Sequence, residues 1–274
     1  MNKRVLWRWV KGLALLYGVV GIVLYHAQRY ILWHPEPVPL SKVYRFGNQP
    51  FTELNIPYDK ETRLNVIEFR ATGLPAGSAA KGVVLYFHGN GGNVEHYGRA
   101  ATDFTRNGYD VWIMDYPGFG KSTGELSEQK LYDYALVLYK LARSQWPPSK
   151  IVLCGSSMGT GIAAELADIR DCRRLILESP YYSLESIAWR RLPVYPWGRM
   201  LRFHFPTWQH LPNVTAPVII FQGTEDRTIP YSNAFRLKPL LKPGDAFIPV
   251  EGAGHNDLHD YPLFQKKLDS LLAE

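Results

Sequence analysis

The sequence predicts an α/β architecture: a mainly parallel sheet with helices on both faces, plus one N-terminal transmembrane helix. Three observations predict it. From residue 82 onward, short apolar runs alternate with stretches of helical spacing, the pattern of strands joined by crossover helices. Residues 151–161, IVLCGSSMGTG, read as a buried strand, a tight turn of small residues and a helix start. Residues 12–25 carry no charge and follow Lys3, Arg4, Arg8 and Lys11, as a membrane segment with a basic flank would.

With 274 residues, 46% hydrophobic and 20% charged, the chain fits a globular domain and not a disordered one. The net charge is +6, and five of those charges fall in residues 1–34, which hold no acid. A nucleic-acid binder would carry its excess on the folded domain. Here it flanks an apolar segment, so the expected partner is membrane lipid, not nucleic acid. Cys154 and Cys172 fall at opposite ends of neighbouring strands and are read as unpaired. No CxxC or HExxH spacing occurs, so no metal site is expected.

Residues 1–33 are read as an uncleaved membrane anchor. A helix from Trp9 to Tyr30 would reach about 33 Å, enough to cross the hydrocarbon core. Trp7, Trp9, Tyr30 and Trp33 fit interfacial belts. A cleaved signal peptide is the competing reading, but Tyr25-His26-Ala27 is a poor cleavage site. The basic flank places the N-terminus in the cytoplasm and the remaining domain outside it, periplasmic in a bacterium. Residues 34–40, HPEPVPL, read as an extended Pro-rich linker. Residues 41–274 form one domain.

Within that domain, residues 52–57 and 64–71 read as strands joined by an Asp59-Lys60-Glu61-Thr62 turn. Residues 82–87 and 110–114 read as buried strands with a helix between them from Val94. Residues 127–146 show helical spacing of Leu131, Tyr134, Leu138 and Leu141, with Ser127 as N-cap and Pro147 as stop. Strands follow at 174–178, 217–222 and 246–250, with helices at 231–240 and 261–272.

The turn GSSMG matches G-x-S-x-G, in which a serine is raised on a strained strand-to-helix turn. Two later strands end on the same kind of signal. Asp226 follows residues 217–222, and His255 follows residues 246–250. In a parallel sheet these ends share one edge, so the three side chains can converge. A serine hydroxyl needs a base to take its proton, and a carboxylate must orient that base. Ser157 is therefore the candidate nucleophile, His255 the base and Asp226 the orienter. The backbone N–H of Met158 and that of Asn90, in HGNGGN, are the candidate oxyanion donors, with Gly91 as alternative.

Taken together, HGNGGN, DYPGFGKS, GSSMG, GTEDRTIP and GAGHN resemble the α/β-hydrolase superfamily. More narrowly they resemble its membrane-anchored serine-hydrolase branch, with acyl-protein thioesterase-like and dienelactone-hydrolase-like members. The resemblance covers about residues 82–272. It implies the α/β-hydrolase fold and a serine esterase, lipase, thioesterase or peptidase-like activity without a cofactor. Ester or thioester cleavage with an apolar acyl group is the expected function. A peptidase or amidase with the same triad is the first alternative, and a non-catalytic binding protein on this fold the second.

Other polar residues have structural readings. His88 is expected to be hydrogen-bonded under the oxyanion loop, and Asp115 to pin DYPGFGKS. Ser122 lacks the flanking glycines of a nucleophile. Glu178 also follows a strand and is the alternative acid to Asp226. Asp257 and His259 read as surface residues of the last loop. Residues 179–216 read as a cap-like insertion over the nucleophile. Most of its aromatics are expected to pack on the core, with Arg190, Arg191, Arg199 and Arg202 solvated; the competing reading has the aromatics wall a pocket for an apolar acyl group and the arginines lie against anionic lipid headgroups.

Overall fold

A computed structural model describes residues 2–72, 74–75 and 77–273. Met1, Gly73, Ala76 and Glu274, which fall inside the expected anchor and domain limits, lie outside the described residues. The centre is an eight-stranded sheet. Its strands are β1 (Phe51–Pro57), β2 (Arg63–Phe69), β3 (Gly82–Phe87), β4 (Tyr109–Met114), β5 (Ile151–Ser156), β6 (Arg174–Glu178), β7 (Val218–Gly223) and β8 (Ala246–Val250). They run in the order β8-β7-β6-β5-β3-β4-β2-β1. β2 is antiparallel to both neighbours, and every other pairing is parallel.

The alternation of side chains across the sheet builds two cores. On β3, Val83, Leu85 and Phe87 enter one, while Val84 and Tyr86 enter the other. The same split holds on β5, with Ile151 and Leu153 against Val152 and Cys154. This is why these strands are apolar throughout instead of alternating. Helices α3 (Glu128–Arg143) and α4 (Gly159–Ile169) cover the first face, and α2 (Val94–Thr105) and α9 (Pro262–Ala273) the second. Asp59 closes the β1–β2 hairpin by accepting from the N–H groups of Glu61 and Thr62. Both cysteines are free.

Two local expectations are corrected. Residues 231–240 are not one α-helix: α8 (Tyr231–Ala234) tightens into a 3₁₀ stretch, Phe235–Leu240, that contains Pro239. Proline has no N–H to give an α-helical bond and its ring crowds the preceding turn. Ser127 does stand at the N-cap of α3, but its side chain makes no cap bond. The adjacent Glu128 carboxylate instead accepts from the N–H groups of His204 and Phe205.

At the N-terminus, α1 (Lys3–Leu32) is a continuous 30-residue helix. By length and composition it is the one helix among the described residues able to cross a membrane. Trp33, expected at an interface, is only 2% exposed. It packs edge-on against Tyr116, Phe119, Phe203 and Phe205, which joins the helix end to the domain core. Residues 34–40 are extended but not free. His34–Pro35 pairs in parallel with Gly91–Gly92, and Pro37 bridges to Gly120.

The insertion 179–216 forms α5 (Leu184–Arg191), α6 (Trp197–Met200) and α7 (Thr207–His210). Ser183 and Ser186 make a reciprocal capping box at the start of α5. Tyr181, Tyr195, Trp197, Phe203 and Phe205 are buried, whereas the four arginines are exposed.

Candidate active site

Ser157 sits between β5 and α4 with φ of +50°, in the left-handed region that a serine rarely adopts. The two flanking glycines make this turn possible. A Cβ on Gly155 would overlap the Gly159 carbonyl, and one on Gly159 would overlap the Phe87 carbonyl. Strand, turn and helix therefore approach closer than any side chain allows. The Ser157 N–H donates to Glu178 O at 2.8 Å, and Thr160 Oγ1 donates to Ser157 O at 2.6 Å. Tyr181 Oη donates to Met158 O at 3.0 Å.

The three residues expected to converge do so. Ser157 Oγ lies 2.8 Å from His255 Nε2, and His255 Nδ1 lies 2.7 Å from Asp226 Oδ2. Asp226 is 5% exposed. Its Oδ1 accepts from the N–H groups of Thr228 and Ile229 at 2.9 and 2.8 Å, and its Oδ2 also accepts from Gln222 Nε2 at 3.1 Å. These donors compensate the buried carboxylate and fix the oxygen that faces the imidazole. Gln222 was missed in the sequence. Its signal was a polar residue ending an otherwise apolar strand, four positions before Asp226. Asp257, expected at the surface, is half-buried and accepts from the Gly254 N–H at 2.7 Å. It shapes the turn that presents His255.

Glu178 does not face His255. Its Oε2 accepts from Tyr86 Oη at 2.9 Å and faces His259 Nε2 at 3.3 Å, while His259 Nδ1 lies 2.7 Å from Asp103 Oδ2. His259 is thus no surface residue: it bridges two carboxylates from β6 and α2. Burial opposes its charge, but Glu178 and Asp103 outweigh that and push the imidazole up to about 10. The segment 256–260 looked polar enough for solvent, and only the fold brings the two acids to it.

The HGNGGN loop leaves β3 opposite the elbow. His88 is fully buried, stacked between Tyr97 and Tyr116 at 4.8 and 4.1 Å between ring centres. Its Nδ1 donates to Gly89 O at 2.8 Å. Burial pushes its imidazole down to about 4 and the nearby Asp115 carboxyl up to about 8. Burial thus favours the neutral form of both groups under the loop. Ser122 Oγ accepts from the Asn65 N–H at 2.8 Å and is buried. Asn90 Nδ2 donates to Leu32 O at 2.7 Å, and Asn90 O accepts from the His34 N–H at 2.8 Å. Among the described residues no acceptor takes the N–H of Asn90 or of Met158.

A cavity of about 340 Å³ opens from Ser157. Its walls are apolar, with Leu184, Ile187 and Trp197 from the insertion and Leu24 and Leu32 from α1. A second, more polar cavity of about 470 Å³ borders His255, Glu178 and His259 and is lined by His96 and Arg99. The described residues hold no cluster of three or more His, Cys, Asp or Glu suited to a metal ion.

Comparison with known proteins gives this arrangement a family. The sequence profile described as serine aminopeptidase, S33, matches residues 78–209. Alpha/beta hydrolase domain-containing protein 17C of Xenopus tropicalis is 30% identical over 198 residues, which cover 69% of this chain and 61% of that protein. The Pyrococcus furiosus esterase Pf2001 superposes with a TM-score of 0.67 over 87% of this chain and 98% of its own, at 17% identity. The chain belongs to the α/β-hydrolase superfamily. The uncharacterized protein Rv2307c of Mycobacterium tuberculosis is 30% identical over 249 residues, 89% of this chain and 86% of that one. An α/β-hydrolase sheet carries its chemistry on loops at the carboxyl edge of the strands, where Ser157, Asp226 and His255 lie.

Proposed function

We propose that this α/β hydrolase is a serine hydrolase of carboxylic esters or thioesters with an apolar acyl group. The observation that carries the reading is the unbroken chain from Ser157 through His255 to Asp226, with Ser157 lining an apolar cavity. Ser157 Oγ attacks the acyl carbonyl while His255 Nε2 takes its proton. The carbonyl oxygen becomes an oxyanion facing the N–H groups of Met158 and Asn90. As that intermediate collapses, the bond to the alcohol or thiol breaks, and His255 returns the proton to the leaving group. Water then enters, gives a proton to His255 and attacks the acyl carbon. Collapse of this second intermediate releases the acid and returns the proton to Ser157. Asp226 orients the imidazole and stabilises it while it is charged. The chemistry asks for no metal and no cofactor.

The reading includes α1 as a membrane anchor. The basic flank argues for a cytoplasmic N-terminus and a domain on the opposite side. A second reading, amide or peptide hydrolysis, draws support from the description of the S33 profile that matches residues 78–209. Matched ester and amide substrates separate the two.

The deciding test treats membranes holding the wild type and Ser157→Ala with a tagged fluorophosphonate. Labelling of the wild type alone, in the membrane pellet, is the expected result. A folded wild type that takes no label would overturn the hydrolase reading and leave a binding protein on this fold. Labelled protein in the soluble fraction would keep the enzyme and remove the anchor.

A further inference from the structure

We propose that the insertion bearing α5 and α6 dips into one leaflet of the bilayer, and that the apolar cavity receives its acyl chain sideways from the lipid, between α1 and α5. The fate of that chain rests on the ester-hydrolase reading above. The substrate class this implies is an ester or thioester whose acyl chain already resides in the membrane.

The first observation is a length. From Tyr17 onward α1 is docked on the insertion. The rings of Tyr17 and Tyr195 stack with centroids 4.5 Å apart. A Cβ on Gly21 would meet the Tyr195 ring at 3.0 Å, so a glycine there permits the close approach. Further along, Gln28 Nε2 donates to Met200 O at 2.7 Å, and Gln28 Oε1 accepts from the Arg202 N–H at 2.8 Å. Only the part of α1 before Tyr17 stands free, roughly 20 Å at the helical rise. A hydrocarbon core is about 30 Å thick. A spanning α1 must therefore run through the docked turns, and it takes Val194 and Tyr195 below the membrane surface with it.

The second observation is how that contact is built. Tyr17 Oη donates to Val194 O at 2.8 Å, and Tyr195 Oη donates to Tyr17 O at 2.9 Å. Both tyrosine hydroxyls find an acceptor across the contact, as hydrocarbon surroundings favour. Beside it, Trp189 and Val194 are 45% and 58% exposed. The same insertion exposes Arg190, Arg191, Arg199 and Arg202 and holds one acid, Glu185. Arg202 is held at the level of Gln28, next to Arg29, where cations meet lipid phosphates.

The third observation is the cavity's mouth. Among its lining residues Ile31 of α1, Arg191 of α5 and Thr228, beside Asp226, are exposed. One side of the cavity thus reaches the surface between α1 and α5, beside the face that enters the leaflet, and Ser157 lines the same cavity. The anchor is in this way also a wall of the substrate site.

Two measurements on the full chain in phosphatidylcholine–phosphatidylglycerol vesicles test the proposal. The first places a spin label at Val194→Cys, with Lys267→Cys on the opposite face of the sheet as control, both in a Cys172→Ser background. The Val194 label should be relaxed by oxygen and shielded from a water-soluble nickel chelate, and the control the reverse. A Val194 label open to the chelate overturns the immersion. The second compares p-nitrophenyl palmitate with p-nitrophenyl acetate for the wild type and Leu24→Trp. Filling the cavity from α1 should lower the long-to-short ratio of kcat/KM at least about tenfold. An unchanged ratio overturns the role of α1 as a wall. Absence of turnover on both esters, together with absence of fluorophosphonate labelling, would instead count against the hydrolase reading, and the label depth would still decide the immersion.

Discussion

The Asn90 side chain donates to the backbone oxygen of Leu32 at 2.7 Å, so the last turn of the N-terminal helix holds the loop that faces Ser157. The backbone of Asn90 repeats the link, since its oxygen accepts from the His34 N–H. An oxyanion donor acts only when it is held in place before the charge forms. Asn90→Ala keeps the backbone N–H and removes the tether. It should lower kcat by about 10- to 100-fold with a smaller change in KM, as read from steady-state kinetics on a short ester. A variant with wild-type kcat would show that the loop keeps its place without Leu32.

Asp226→Asn should keep the fold and lower kcat by about 10⁴-fold, because the amide favours the wrong imidazole tautomer. Glu178→Gln should leave far more activity, since its carboxylate faces Tyr86 and His259 and not His255. Rates of acylation by a fluorophosphonate, with circular dichroism as the check on folding, distinguish the two. Equal losses would return Glu178 to the role of orienting acid.

His259 makes stability depend on alkaline pH. Its folded-state value is raised to about 10 by Glu178 and Asp103 against the opposing effect of burial, and an unfolded histidine titrates near ~6.5. Between those values the folded state holds a proton that the unfolded chain has released. The contribution is therefore fully present below about pH 6.5 and is lost as pH rises toward 10. Thermal unfolding across pH 6 to 10 should show a falling midpoint for the wild type and a flatter profile for His259→Gln. Parallel profiles would exclude His259 as the group responsible.

The sequence exposes what is local. GSSMG is legible because the elbow needs small residues at fixed spacing around Ser157, and the overlaps a Cβ would make at Gly155 and Gly159 are the reason. Asp226 and His255 are legible because each follows an apolar strand, and parallel topology does the rest. The pairing of His259 with Asp103 and Glu178 joins residues 156 and 81 positions apart, which no local pattern encodes. Trp33 failed for a related reason. An aromatic after an apolar segment suits an interface, and only the fold brings Tyr116, Phe119, Phe203 and Phe205 together around it. Gln222 acts through Asp226 on a neighbouring loop, so its role emerges only with coordinates.

The bond between Tyr17 and Val194 spans 177 residues. During synthesis α1 leaves the ribosome well before the segment it docks on. Contacts so distant in sequence close late, because the loop they shut must first be ordered. The earlier-made helix therefore receives its seat late. Until then the neighbourhood of Ser157 is open on one side, and the docking step is also the step that gives the candidate site its shape.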